Sequence, residues 1–383
     1  MREGAGRQAF ESRQLNVMFR KRMVVIALHL PFSCRNLTQA RMRIGEVAFL
    51  TGDESTSAMP SRDDLAIALW FEEAGRCALR QETLLPLQPG DVTVQSLFSG
   101  ISRGTESLVF NGEIPESEFG RMNCPHQQGE MPFPVKYGYA AIGRVEEGPS
   151  QLVGKTVFCL HPHQNRFRVP ASELHELPQG LPAERAVLAA NMETALNIVW
   201  DAGILPGDRA LVFGAGVVGL LTAYIASRIL GTDAAICDIS PARAELAGAL
   251  TVPFALPAEA PRNCDVLINA SASPAALRDA LEHAGFEARI VEASWYGTKT
   301  AELPLGRGFH AQRLSIVSSQ VGTIPAGRRA RWDSGRRLRK ALELLRDDRL
   351  DVLVSGETPF GQIAEAYPGI LRSPGTLCHR IRY

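Results

Sequence analysis

The stretch from Arg209 to Asp238, RALVFGAGVVGLLTAYIASRILGTDAAICD, leaves this chain few ways to fold. A short apolar run, Ala210 to Phe213, turns on Gly214-Ala215-Gly216-Val217-Val218-Gly219. A helix-spaced apolar segment continues to Leu230, and a second apolar run, Ala234 to Cys237, is closed by Asp238. Strand, glycine turn, helix and strand in that order make a dinucleotide-binding crossover, the bland alternative being an ordinary strand-to-helix turn. Gly214 permits the tight turn, Gly216 lets the backbone approach a pyrophosphate with no Cβ in the way, and Gly219 lets the helix pack close on the strand. The helix N-terminus, with Val217 and Val218 in its first turn, then faces the phosphates with unpaired N–H groups and a partial positive charge. Asp238 lies 19 residues after Gly219, where a carboxylate accepts hydrogen bonds from the ribose hydroxyls and repels a 2′-phosphate. The expected cofactor is therefore NAD(H) rather than NADP(H), although Arg243 leaves some room for NADP.

At 383 residues, 45% of them hydrophobic and 21% charged, the chain is long enough for two globular domains with sizeable cores. Its 41 basic residues balance 41 acidic ones, so nothing points to nucleic acid or an anionic membrane as a general partner. Seven cysteines, at positions 34, 77, 124, 159, 237, 264 and 378, show no paired short spacing. That usage fits a reduced, cytoplasmic protein better than a disulfide scaffold. Residues 1–62 read differently from the rest. Arg20-Lys21-Arg22 followed by an apolar core to Phe32 resembles a signal peptide superficially, but His29 and Pro31 interrupt the core and no clean cleavage site follows. The preferred reading is a disordered or artefactual extension with Met59 as the functional start, and export or organelle targeting as the alternative.

From Leu65 the chain turns β-rich. Ala66 to Phe71 and Cys77 to Glu82 flank a hairpin signature around Gly75, Asp91 to Phe98 follows Pro89-Gly90, and strands are expected again over Lys136 to Val145 and Gly154 to Cys159. Short strands joined by Gly and Pro turns indicate a small barrel-like unit over residues 63–190. Leu181 to Gly203 is helical in pattern. Beyond Asp238 come a helix through Leu250, a strand from Cys264 to Ala270, a helix from Pro274 to Ala284, and strands over Arg289 to Ala293 and Leu314 to Val321. This alternation predicts an α/β unit with a doubly wound parallel sheet over residues 191–323. In residues 324–383 a basic segment, Arg328 to Arg339, leads into a helix from Leu338 to Leu345. Strands at Leu353 to Ser355 and Cys378 to Tyr383 then flank a helix near Gln362 to Leu371.

The β-rich unit, the Pro-Gly turn, GAGVVG and the strand ending in Asp238 together resemble the medium-chain dehydrogenase/reductase family over about Leu65 to Tyr383. The phrases Ser99 to Glu106 (SGISRGTE), Gly138 to Val145 (GYAAIGRV), Cys264 to Ser271 (CDVLINAS), Trp295-Tyr296-Gly297, Phe309 to Leu314 and Ser318 to Gly322 most resemble the subgroup around 2-desacetyl-2-hydroxyethyl bacteriochlorophyllide dehydrogenase. The resemblance implies a groES-like catalytic domain, completed by the return segment 324–383, closed over a Rossmann domain with the active site in the cleft. Zinc-dependent members hold a catalytic metal with a cysteine, a histidine and a second cysteine. At the matching positions this chain has Ser102 (or Arg103), Tyr139 in a Gly138-Tyr139-Ala140 phrase, and Ala190 or Asn191. Zinc needs thiolate, imidazole or carboxylate donors, so no catalytic zinc is expected. Cys159, His161 and His163 alternate along an extended segment and could face together as metal donors, as polar cleft residues, or as packing.

Without zinc, hydride transfer still requires a group that polarises the carbonyl and hands over a proton. Tyr139 is the leading candidate, weighed against a tyrosine that merely fills the vacated cavity. Thr105 matches the family's relay hydroxyl, Arg103 could stabilise developing negative charge or bind a substrate anion, and His161 is a further cleft candidate. Asn191 and Thr194 are placed at the domain junction, near nicotinamide or ribose. Two functions stand at this point. One is a zinc-independent oxidoreductase acting on an alcohol or carbonyl small molecule, or on an activated double bond as quinone reductase-like relatives do. The other is a non-catalytic NAD(H)-binding redox sensor. Family resemblance also implies a homodimer joined through the strand Leu314 to Val321.

Overall fold

The computed structural model describes residues 64–383. The readings made for residues 1–62, including the signal-like segment and the start at Met59, lie outside the described residues. The first half runs β1 (Leu65–Glu73), β2 (Arg76–Thr83), β3 (Asp91–Ser102), α1 (Arg103–Phe110), β4 (Gln128–Gly129), β5 (Val135–Lys136), β6 (Ala141–Glu147), β7 (Thr156–Cys159), β8 (Arg166–Pro170), β9 (His175–Glu176), α2 (Ala183–Ala186) and α3 (Ala189–Ala202). The second runs β10 (Arg209–Phe213), α4 (Val217–Ala226), β11 (Asp233–Cys237), α5 (Arg243–Ala249), β12 (Phe254–Ala255), β13 (Cys264–Asn269), α6 (Pro274–His283), β14 (Ala284–Glu292), α7 (Gly308–Ala311), β15 (Ser315–Ser318), α8 (Ser334–Leu344), β16 (Val354–Pro359), α9 (Ile363–Arg372) and β17 (Cys378–Arg382).

β10 to β15 form one parallel six-stranded sheet in the order β12-β11-β10-β13-β14-β15. This is the doubly wound arrangement, and its switch point lies beside β10. Both faces are covered. Ala210 and Val212 face a cluster with Leu220, Ala223 and Ile198. Leu211 and Phe213 face Leu277, Ala280 and Ile290 on the other side. Burial on two faces explains why the strands read as continuous apolar runs rather than alternating ones. Each fully buried Leu or Ile contributes about 1.5–3 kcal/mol.

The β-rich part is built on the twelve-residue β3, which pairs with β6, β8 and, antiparallel, β17. The last strand of the chain thus returns to the first domain, with Cys378 opposite Ser102 and Arg382 opposite Phe98. Its core holds a ring triad of Phe71, Phe110 and Tyr367, with centroids 5.2–5.3 Å apart. Among the described residues no helix is long and apolar enough to cross a membrane.

Several boundaries depart from the sequence reading. The glycine-turn helix stops at Ala226, and turns carry the chain to Leu230. The expected strand Leu314 to Val321 is a strand only over Ser315–Ser318, because its partner β14 ends at Glu292, opposite Ser318. The helix Leu181 to Gly203 is two helices broken at Val187 and Leu188, and it ends on Gly203 at φ 68°. β14 begins at Ala284, directly after α6, and α8 begins at Ser334, capped by Asp333 inside the basic segment.

Candidate active site

β3 delivers Ser102 to the start of α1, which carries Arg103, Thr105 and Glu106 in its first turn. The segment between β5 and β6 supplies Gly138 and Tyr139. Gly138 sits at φ +125°, and a Cβ there would lie 2.9 Å from Cδ2 of the His163 ring, so only glycine fits. Tyr139 is partly buried at the seam between the β-domain core and the core that continues under the parallel sheet. The Ser102 and Thr105 hydroxyls lie near its phenol and act to lower its pKa. From the first turn of α3, the Asn191 amide donates to Ser102 Oγ at 3.4 Å.

The three positions where the family's zinc ligands would fall therefore converge, carrying a hydroxyl, a phenol and a carboxamide. Neither thiolate nor imidazole is among them, and this donor set does not fit zinc. Cys159, His161 and His163 do not assemble either: among the described residues no three His, Cys, Asp or Glu side chains group to hold a metal. His161 stacks on Phe167 with centroids 3.9 Å apart, and its Nδ1 donates to Pro162 O, 3.0 Å away. Burial holds its pKa well below the usual imidazole value. The structure thus does not bring His161 to Tyr139, Thr105 and Ser102. His163 instead lies against Glu106, 3.0 Å from Nε2 to Oε2.

Burial, reinforced by the charge of Glu106, pushes the Tyr139 phenol above its ordinary value, while the nearby Ser102 and Thr105 hydroxyls act the other way. The Tyr139 phenol is therefore protonated at neutral pH. Thr194 Oγ donates to Ala190 O at 2.9 Å one helical turn back, which leaves its oxygen as an acceptor.

The glycine turn behaves as its spacing implies. Gly214 has φ +98°, and a Cβ would lie 2.8 Å from Ser271 Cβ. At Gly219 a Cβ would meet Gly214 O at 1.8 Å, and Gly216 has nothing within 4 Å of that position. No side chain caps the first turn of α4, so the N–H groups around Val217 and Val218 are free to meet an anion. Asp238 Oδ2 accepts the Ala215 N–H at 2.7 Å and Oδ1 the Ser240 N–H at 2.8 Å. The carboxylate is thereby fixed at the mouth of the turn, with lone pairs left for ribose hydroxyls. An open cradle, free helix N–H groups and an oriented carboxylate fit a dinucleotide.

Two arginines reach this edge from opposite domains. Arg103 donates to Ser373 O at 2.8 Å and Arg243 to Pro374 O at 2.6 Å. Burial, then the neighbouring charge of Arg243, lowers the Arg103 pKa. Neither has a carboxylate partner among the described residues, so the pair is unneutralised and suited to a phosphate.

Sequence reasoning assigned no role to two features, although both lie in phrases that carried the resemblance. At the carboxyl ends of β13 and β14, Asn269 Nδ2 donates to Glu292 Oε2 at 2.8 Å, and the Tyr296 hydroxyl donates to the same oxygen at 3.0 Å. Burial raises the pKa of Glu292. Next to them Trp295 packs into the β-domain core, and Gly297, at φ +61°, leaves only 2.6 Å between a would-be Cβ and Glu113 O. A loop of the parallel sheet thus reaches across to the end of α1. The second feature is the carboxylate of Glu106, fully buried on an eight-residue helix. Its signal was a lone Glu in the otherwise apolar or small phrase TESLVF.

No family model matches the chain. It is 24% identical over 310 residues to D-guloside 3-dehydrogenase of Escherichia coli K12, covering 72% of this chain and 88% of that one. It is also 24% identical over 306 residues to 2-desacetyl-2-hydroxyethyl bacteriochlorophyllide A dehydrogenase of Rhodobacter capsulatus, covering 76% and 89%. Among solved structures, an E. coli CFT073 alcohol dehydrogenase complexed with NADH superposes with a TM-score of 0.67 at 16% identity, covering 84% of this chain and 100% of that one.

Proposed function

The chain is a distant member of the NAD(P)-dependent medium-chain dehydrogenases of the zinc-type alcohol dehydrogenase family, and on that premise we propose that it interconverts an alcohol and a carbonyl without a catalytic zinc. The observation that carries this reading is the convergence of Tyr139, Ser102, Thr105 and Asn191 where a metal would otherwise sit. Bound NAD(H) supplies or accepts the hydride. The glycine turn and the N-terminus of α4 would hold its pyrophosphate, Asp238 would orient the ribose and disfavour a 2′-phosphate, and Arg103 with Arg243 would offset phosphate charge. Thr194 and Asn191 position the reacting ring at the domain junction.

In the reducing direction Tyr139 donates its proton to the carbonyl oxygen as negative charge develops there. Ser102 and Thr105, near the phenol, stabilise the resulting tyrosinate and pass a proton back. In the oxidising direction the same group must first lose its proton, and its raised pKa opposes that.

The test is fluorescence titration of the metal-analysed protein with NADH and NADPH. NADH oxidation is then followed with butane-2,3-dione, D-xylulose, D-fructose and a p-quinone as probes. The reading expects tighter binding of NADH, no stoichiometric zinc, and turnover of at least one carbonyl. Binding of neither nucleotide overturns it. One zinc per chain overturns the zinc-free mechanism, and NADH binding with no turnover leaves the redox-sensor reading in its place.

A further inference from the structure

Glu106 and His163 are each 0% exposed, and the mechanism above does not use either. Glu106 Oε1 accepts the backbone N–H of Ser102 at 2.7 Å. Its Oε2 is held by the Tyr367 hydroxyl and by His163 Nε2 at 3.0 Å. The ring's other nitrogen, Nδ1, lies 2.8 Å from Ser99 Oγ, which is 2.9 Å from the Tyr383 hydroxyl. Four elements contribute: β3 through Ser99, α1 through Glu106, α9 through Tyr367, and β17 with the residue that follows it. A carboxylate with no access to water persists only when donors reach both its oxygens; here the Ser102 N–H meets one, and the Tyr367 hydroxyl and, in its Nε2–H tautomer, His163 meet the other.

The pair touches both arms that hold Tyr139. Through Ser102 N–H the carboxylate pins the start of α1, where the Ser102 and Thr105 hydroxyls sit near the phenol. On the other arm the His163 ring packs against Gly138, the residue before Tyr139, so closely that a Cβ there would sit 3.0 Å from Nε2. We propose that Glu106, clamped by His163, is the positioning residue for the proton donor Tyr139, fixing from one buried point both the phenol's backbone and its hydroxyl partners. The negative charge of Glu106 also favours the protonated phenol, in the same sense as burial. The other groups acting on Tyr139 are Cys124 and the two hydroxyls.

This inference rests on Tyr139 being the donor, and a double-mutant cycle separates the two claims. The readout is kcat and KM for the carbonyl that wild type reduces fastest in the screen above, with the NADH Kd measured by fluorescence. Tyr139→Phe is expected to lower kcat roughly 100-fold. Glu106→Gln keeps an acceptor for Ser102 N–H but loses the charge and the acceptor for His163, and it is expected to lower kcat roughly tenfold with NADH Kd unchanged. In the Tyr139→Phe background Glu106→Gln should lower kcat no further, because its effect runs through the phenol. His163→Asn, which keeps a donor but leaves the space beside Gly138, should follow the same pattern if Glu106→Gln fails to fold. An equal loss in both backgrounds, or wild-type kcat in Glu106→Gln and in His163→Asn, overturns the positioning role. Full kcat in Tyr139→Phe, or no turnover of any probe, overturns the parent reading and this one with it.

Discussion

Tyr139 shows how far a single residue can be read. Its place in the phrase Gly138-Tyr139-Ala140 marked it as the successor of a metal ligand, and the structure sets its hydroxyl against Ser102 and Thr105. Its titration follows from its surroundings. Burial and the Glu106 charge both disfavour the phenolate, so the folded value lies above the ordinary phenol value of about 10. A donor with a raised pKa stays protonated as pH passes that value, and carbonyl reduction should therefore hold level from neutrality through about pH 10. A pH–rate profile that falls between 8 and 10 would remove Tyr139 as the donor. Glu106 and His163 were less legible. They are 57 residues apart, and no local spacing announces that a histidine three residues ahead of Arg166 will meet a carboxylate on α1. His163 was read as one of three alternating donors, yet Cys159 and His161 go to core packing and only His163 reaches the site. Alternation tells which side of a strand a residue takes; it does not tell what stands opposite.

At the scale of elements, β10, its glycine turn and α4 were legible because each glycine has a steric reason. A Cβ at Gly219 would stand 1.8 Å from the Gly214 carbonyl oxygen, a backbone atom that cannot swing aside. Gly219→Ala must push α4 off β10, costing about 1–3 kcal/mol of stability and weakening NADH binding about tenfold or more as the pyrophosphate cradle opens. Thermal melts with and without NADH measure both, and an unshifted melting curve would contradict this account of the turn. β15 is the outer strand of the parallel sheet, paired among the described residues only with β14. Ser319 N–H turns inward to Glu292 O at 3.0 Å, so by alternation the N–H of Ser318 turns outward. We propose that a second copy pairs along this edge, giving the homodimer. Ser318→Pro removes an outward donor without touching the β14 ladder, and light scattering should then show monomer where wild type shows dimer; a wild-type dimer surviving the substitution would place the interface elsewhere. The boundaries that escaped the sequence, such as the break at Val187 and Leu188, depend on which neighbours the chain meets after folding.

For the whole molecule, the question is what binds the return segment to the nucleotide domain, since β17 pairing with β3 spans nearly the full described chain and leaves no trace in local pattern. The structure answers with Arg337, a member of the basic segment Arg328 to Arg339. Its guanidinium is buried, paired with Glu193 on α3 at 3.0 Å and donating also to Asn197 and to the Val321 carbonyl. The side chains of Arg337 and Glu193 are 3% and 7% exposed. One residue of α8 thus holds two turns of α3, the helix that carries Asn191 and Thr194 to the cleft, and the loop that follows β15. Burial raises the Glu193 pKa while the arginine opposes it, so removing the cation leaves a carboxyl with no charge partner in a dry place. Arg337→Met should cost about 3–5 kcal/mol, because the unpaired Glu193 keeps its desolvation penalty. Much of that loss should return in Arg337→Met with Glu193→Leu, where both charges are replaced by apolar volume. Urea unfolding of the two variants decides the matter. If the single substitution shifts the midpoint no more than an exposed one such as Arg339→Met, the pair does not hold α8 on α3. If the double variant is no more stable than the single, the cost lies in lost packing and not in the stranded carboxylate.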